Sequence, residues 1–362
     1  MKYVSEFRDK TFIAPLVDEL RRTIDRPLRV MEVCGTHTMA IFRHGLRAIL
    51  PEGLSLISGP GCPVCVTSAA HIDGFIEVAG RQGVRAAIFG DLFRVPGTHG
   101  SLARAQSAGA HVEVVYSPTD ALALARKHPE EIVVFLSVGF ETTTPLVAAT
   151  ILEAQRQEVD NFAVFSAHKI MPPALAALLG DPELRLDGLL CPGHVSTIIG
   201  AAAYEPLAAG HGLSCVVAGF EPVDILQALI MVARQAREGR FEVENAYGRA
   251  VTWEGNLRAR KLMDQVFEPV DCQWRGLGII PGSGMAIRPE FARFDAEKRF
   301  GIRLADTPEP RGCMCGEILK GRKTPADCPL FAGRCTPLDP VGPCMVSSEG
   351  TCAAHYRFGQ TG

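Results

Sequence analysis

LRVMEVCGTHTMAIFRHGLRAILPEGLSLISGPGCPVC, residues 28–65, holds two short apolar runs, Leu28–Val33 and Leu54–Ser58, on either side of an amphipathic stretch, Thr38–Ile49. Strand, helix, strand in so short a span reads as a parallel β-α-β unit. Each run ends in a cysteine motif: Cys34-Gly-Thr-His37 after the first, Gly59-Pro-Gly-Cys62-Pro-Val-Cys65 after the second.

The same alternation continues outward. Further strands are predicted at Ala86–Gly90, Val112–Tyr116, Ile132–Val138, Phe162–Ala167, Gly188–Leu190 and Ser214–Ala218. Helices are predicted at Ser68–Arg81, Ser101–Gln106, Thr119–Lys127, Thr143–Gln157, Pro173–Leu179 and Pro222–Arg237. The fold class is α/β. Eight strands are more than one sheet commonly holds, so two doubly wound parallel-sheet domains are expected, 1–120 and 121–270, split near Pro118–Pro129. A β/α barrel is the alternative. A small cysteine-rich iron–sulfur domain, 271–362, follows. There Gly276–Ile280 reads as a strand, Gly282-Ser-Gly284 as a turn, and Phe291, Phe294 and Phe300 as the packing face.

At 362 residues the chain has material for two or three domains. A net charge of −3 gives no case for a nucleic-acid or anionic-membrane partner. The start, MKYVSEFRDK, lacks the apolar core of a signal peptide. The apolar stretch around Leu213–Ala233 is broken by Glu221, Asp224 and Gln227, so no membrane span is expected. The reading is a cytoplasmic protein, whose twelve cysteines favour metal binding or thiol chemistry over a structural disulfide framework.

Six of those cysteines lie in the tail: Cys313, Cys315, Cys328, Cys335, Cys344 and Cys352. Prolines and glycines separate them, and so little apolar surface needs a staple. After the C-x-C pair the intervals are 12, 6, 8 and 7 residues. Zinc ribbons want two close pairs, so zinc matches poorly. Six thiols exceed the four that a [4Fe–4S] cluster takes, which suggests a cluster plus a dithiol. Zinc and disulfides alone stay open as alternatives.

Open parallel sheets bind ligands at the carboxyl ends of their strands. The residues predicted there are Cys34 and His37, Cys62 and Cys65, Asp91, Glu141 in GFETTTP, His168, and Cys191 with His194. Cys62 and Cys65, in C-x-x-C spacing before a helix, read as a redox dithiol, with a zinc half-site as the plain alternative. Cys34 and His37, at i and i+3 of a first helical turn, can meet on one iron. Alone they read better as a buried cysteine and a helix-start histidine. Glu141 reads as a proton carrier or an anchor, His168 and His194 as cleft or plain loop histidines, and Thr143 with Pro145 as a helix start. The helix start is expected to favour the Cys34 thiolate. Cys191, Cys215 and Cys272 read as core residues. No Walker A or full GxGxxG pattern occurs, so a nucleotide pocket has no support.

CGTHT (34–38), GPGCPVC (59–65), GFETTTP (139–145) and GPCMVSSEGTCAAHY (342–356) together resemble the HypD family of hydrogenase maturation proteins over nearly the whole chain. The resemblance implies a scaffold on which the Fe(CN)2CO unit of [NiFe]-hydrogenase is assembled. Its partners would be a small HypC-type chaperone, a HypE-type cyanide donor and, indirectly, the hydrogenase large subunit. It implies Cys34 as the iron-binding thiol with His37 beside it, and Cys62 and Cys65 as the internal redox dithiol. A further likeness to ferredoxin:thioredoxin reductase implies Cys313, Cys328, Cys335 and Cys352 as [4Fe–4S] ligands. Cys315 and Cys344 would then form an outer dithiol. The cofactors so implied are the cluster and a transient Fe(II) carrying cyanide and carbon monoxide. Glu141 and His168 would manage protons. The rival reading is a stand-alone iron–sulfur disulfide reductase; a third is a structural cluster on an ordinary transferase.

Overall fold

Apolar runs of four to six residues become strands here because both faces of a parallel sheet are covered, so nearly every side chain can be apolar. The computed structural model describes residues 6–305 and 307–359; residues 1–5 of the predicted charged start and residues 360–362 lie outside the described residues. The parallel strands are β1 (Leu28–Glu32), β2 (Leu54–Ser58), β3 (Val84–Ile88), β4 (His111–Val114), β5 (Ile132–Ser137), β6 (Phe162–Ser166), β7 (Gly188–Pro192), β8 (Ser214–Ala218) and β9 (Val243–Asn245). β7 and β8 are buried along their whole length.

These strands make two sheets, one ordered β2-β1-β7-β8-β9 and the other β4-β3-β5-β6. The α/β class holds, but the sheets do not divide at Pro118–Pro129. β3 pairs with β5 across that point, and β7 returns to pair with β1. The second sheet is therefore inserted into the first. Local periodicity marks where a strand lies, not which sheet it joins, because a crossover within a sheet and one between sheets look alike. Each sheet has a switch in strand order, β1/β7 in the first and β3/β5 in the second.

An antiparallel hairpin follows, β10 (Phe267–Trp274) with β11 (Gly278–Ile287), its register shifted between Val270 and Cys272. Gly282–Gly284, predicted as a turn, lies inside β11; the chain reverses at Arg275–Leu277 instead. Bridges from Trp274 to Thr67 and from Gly284 to Lys169 tie the hairpin to both segments that cross between the sheets. Phe291 and Phe294 are buried in the core around β5 and β6, as predicted. Among the described residues the tail contributes three short α-helices, Cys315–Leu319, Pro343–Val346 and Thr351–Phe358, and one 3-10 turn, Pro325–Asp327. No helix among the described residues is long and apolar enough to cross a membrane.

Candidate metal and thiol site

Cys34 ends the β1 segment, at the switch point beside β7, and caps the Gly35–Arg43 helix. The GPGCPVC loop closes directly over it. Gly35 N–H donates to the Gly61 carbonyl at 3.0 Å. A Cβ on Gly61 would sit 2.3 Å from the Cys34 nitrogen and 2.4 Å from its Cα, so only glycine allows this approach. Cys62 caps the Pro63–Val66 helix, its sulfur accepting from Cys65 N–H at 3.1 Å, and it is joined to Cys65 by a disulfide. Both are buried.

His37 is fully buried and its tautomer is fixed by its surroundings. Nε2–H donates to the carbonyls of Gly219 (3.0 Å) and Ala218 (3.2 Å), leaving Nδ1 as a buried lone pair without a partner. Burial drives the imidazole down to about 4, so the ring is neutral. That is how a metal-binding histidine is usually held: one nitrogen on a backbone carbonyl, the other free. Phe220 lies against His37 on one side, centroids 4.8 Å apart, and against exposed His194 on another at 4.1 Å.

The tail lies over this corner. Thr36 Oγ1 donates to Glu349 Oε1 at 2.5 Å, and the hydroxyls of Ser347 and Ser348 donate to Asp91 just past β3. Residues 347–349 thus touch the strand-end segments at both switch points. The Thr351–Phe358 helix packs on the Gly35–Arg43 helix, with His355 against Phe42 at 4.4 Å. The Pro343–Val346 helix, which carries Cys344, packs on the helix that carries Cys65. Burial, reinforced by the Glu349 carboxylate, pushes the Cys34 thiol up to about 12. The expectation that the helix start favours its thiolate is therefore corrected: desolvation outweighs the backbone N–H groups of Thr36 and His37.

Cys313, Cys315, Cys328, Cys335 and Cys352 line one cavity, closed by Leu330, Phe331 and Met345. Gly342 leaves the room: a Cβ there would meet the sulfurs of Cys315 and Cys313 at 2.7 and 2.9 Å. Cys344 is outside that lining but hydrogen-bonds to Cys315 and Cys352, and the hydrogen bonds of Cys315 and Cys344 draw the Cys352 thiol down to about 5. Five soft sulfur donors on one apolar cavity fit an iron–sulfur group.

Glu141 and His168 do not join Cys34 in a common cavity. Glu141 lines a cavity of about 210 Å³ with Arg260, Met263 and Phe267. Its Oε1 accepts from Met171 N–H at 2.9 Å, its Oε2 has no partner, and burial lifts it to about 7. His168 borders a cavity of about 520 Å³ with His71 and Cys272. The hydroxyls of Thr143 and Thr144 donate back to the Phe140 carbonyl, so Thr143 starts the helix without a side-chain cap. Cys191, Cys215 and Cys272 are buried, and Cys272 accepts from the buried Lys169 amine at 3.1 Å. Sequence reasoning missed Glu349 and Arg275. Glu349 stood in the quoted SSEGTC segment as the sole acid there, a signal that cysteine spacing masked.

The family profile described as the hydrogenase formation hypA family, HypD, matches residues 11–359. The hydrogenase maturation factor HypD of Azotobacter vinelandii is 48% identical, over 99% of this chain and 97% of its own. That of Cupriavidus necator is 47% identical, covering 99% and 98%. That of Escherichia coli is 45% identical, covering 99% of each chain.

Proposed function

The chain belongs to the HypD family, and from that premise we propose that it is a hydrogenase maturation factor on which the Fe(CN)2CO unit of [NiFe]-hydrogenase is assembled. One observation carries the reading: the tail that gathers six thiols docks directly on both amino-terminal cysteine motifs. The substrate is a ferrous ion that takes up cyanide and carbon monoxide. Cys34 binds it through sulfur and His37 through Nδ1. Thiolate and imidazole suit ferrous iron. Cys34 is a buried thiol with a raised proton affinity, so binding must release its proton. Glu349 is placed to take that proton, its own affinity raised chiefly by burial and then by Asp91. A HypC-type chaperone would supply a further thiol and a HypE-type donor the cyanide.

Cys313, Cys328, Cys335 and Cys352 would hold a [4Fe–4S] cluster, which supplies electrons one at a time when bound. Cys344 attacks the Cys62–Cys65 disulfide and forms a mixed disulfide. Cys315, in contact with Cys344, then attacks it in turn. The Cys62 and Cys65 thiols leave reduced, and a Cys315–Cys344 disulfide remains, which an external one-electron donor, acting twice, would reopen with the uptake of two protons. Glu141, half ionised near neutral pH, is a proton carrier for its own cavity; His168, driven down to about 3 by burial and hydrogen-bonded to Ser137, is an anchor in the other and not a proton carrier.

The test is infrared spectroscopy of the chain co-purified with its HypC-type partner. Cys34→Ala should keep the brown cluster and lose the cyanide and carbonyl bands; retained bands remove Cys34 from the iron site. Iron content tests the rival disulfide reductase, which predicts about four irons per chain instead of about five with the partner bound.

A further inference from the structure

Arg275 occupies the turn of the β10–β11 hairpin and is only 1% exposed. Burying a guanidinium is costly unless each donor finds an acceptor. Nη1 pairs with the half-exposed Glu309 at 2.6 Å, and Nε donates to the Thr67 carbonyl at 3.0 Å. Nη2 is buried with no partner. On one side the turn is fastened to the end of the Pro63–Val66 helix, where Arg275 N–H donates to the Val66 carbonyl at 2.8 Å. On the other it presses on the tail: a Cβ on Gly276, whose φ is +76°, would lie 2.2 Å from the Cα of Gly316, next to Cys315. The Arg275 charge lies within electrostatic reach of Cys313.

We propose that Arg275 is a positioning residue lodged between the two thiol centres, whose positive charge and unpartnered Nη2 raise the reduction potential of a cluster held in the cysteine-lined cavity. The inference rests on the cluster reading. Cysteine thiolates around a cluster give the site net negative charge, so a nearby cation and an N–H donor ease the addition of an electron. Glu309, on Nη1, opposes this effect.

Potentiometric titration of the full-length, cluster-loaded protein, followed by electron paramagnetic resonance, tests it, with iron and acid-labile sulfide counted in each sample. Arg275→Gln should lower the midpoint by at least a tenfold change in the reduction equilibrium, 59 mV for a one-electron couple. Arg275→Lys should stay close to the wild type, and Glu309→Gln should move the midpoint upward. A fully loaded Arg275→Gln protein with an unchanged midpoint overturns the inference alone. Should that variant fail to fold, an unmoved Glu309→Gln midpoint does the same. Wild-type protein without labile sulfide overturns the cluster reading and this inference with it.

Discussion

Gly61→Ala strikes the contact between the two amino-terminal cysteine motifs. The added Cβ would fall 2.3, 2.4 and 2.6 Å from the Cys34 nitrogen, the Cys34 Cα and the Val33 carbonyl carbon. All three are backbone atoms of a buried strand end, so no side chain can swing aside. The GPGCPVC loop has to retreat by about 1 Å to reach ordinary contact distance. Overpacking of that kind costs about 1–3 kcal/mol. Loss of the Gly35–Gly61 hydrogen bond adds about 1 kcal/mol. A urea titration should show that loss as a lower midpoint with an unchanged slope. Iron bound beside Cys34 should fall as well, since the loop defines that corner. Gly210→Ala is the control: it lies in a helix with open space around it, and should stabilise by up to about 1 kcal/mol. A Gly61→Ala protein as stable as the wild type, with full iron binding, would refute the reasoning.

Glu141 binds its proton more tightly in the folded chain, about 7 against 4.5, so its stabilising contribution is present below pH 4.5 and is lost as pH rises through 7. At about 1.4 kcal/mol per tenfold change in proton affinity the loss approaches roughly 3 kcal/mol, and Glu141→Gln should abolish that slope in pH-dependent urea titrations. Arg249 holds buried Asp224 through two bonds of 2.7 and 2.6 Å, and Asp224 packs on Gly219, whose carbonyl fixes His37. Arg249→Ala should cost about 3 kcal/mol, seen in urea titration, and weaken iron binding beside Cys34. Removing the cluster with a chelator should open the tail to limited proteolysis beyond about residue 305 while the two sheets stay intact, as peptide mass spectrometry would show; a tail that stays resistant would speak against a cluster staple.

The parallel strands β1–β8 were legible because each is a short apolar run bounded by turn residues, and β2 and β8 match their predicted limits. β9, three half-buried residues, carries no such signal. The Lys10–Thr23 helix is absent from the predicted set because Pro15 interrupts its pattern. The inserted second sheet was illegible for a different reason: pairing of β1 with β7 joins residues far apart in the chain, and nothing local records it. At the site, the cysteine motifs announce themselves through spacing. The ionisation of Cys34 does not, because its burial and the Glu349 charge arrive with the tail. Glu141 and His168 sit at strand ends as expected, yet those ends open on separate cavities.

The most direct test alkylates Cys62 and Cys65 after anaerobic reduction of the cluster-loaded protein and counts the modified thiols by mass spectrometry. Wild-type protein should yield both as free thiols, and Cys344→Ala should keep the disulfide closed with its cluster intact. Equal opening of the Cys62–Cys65 disulfide in both proteins would contradict the passage of reducing equivalents through the tail.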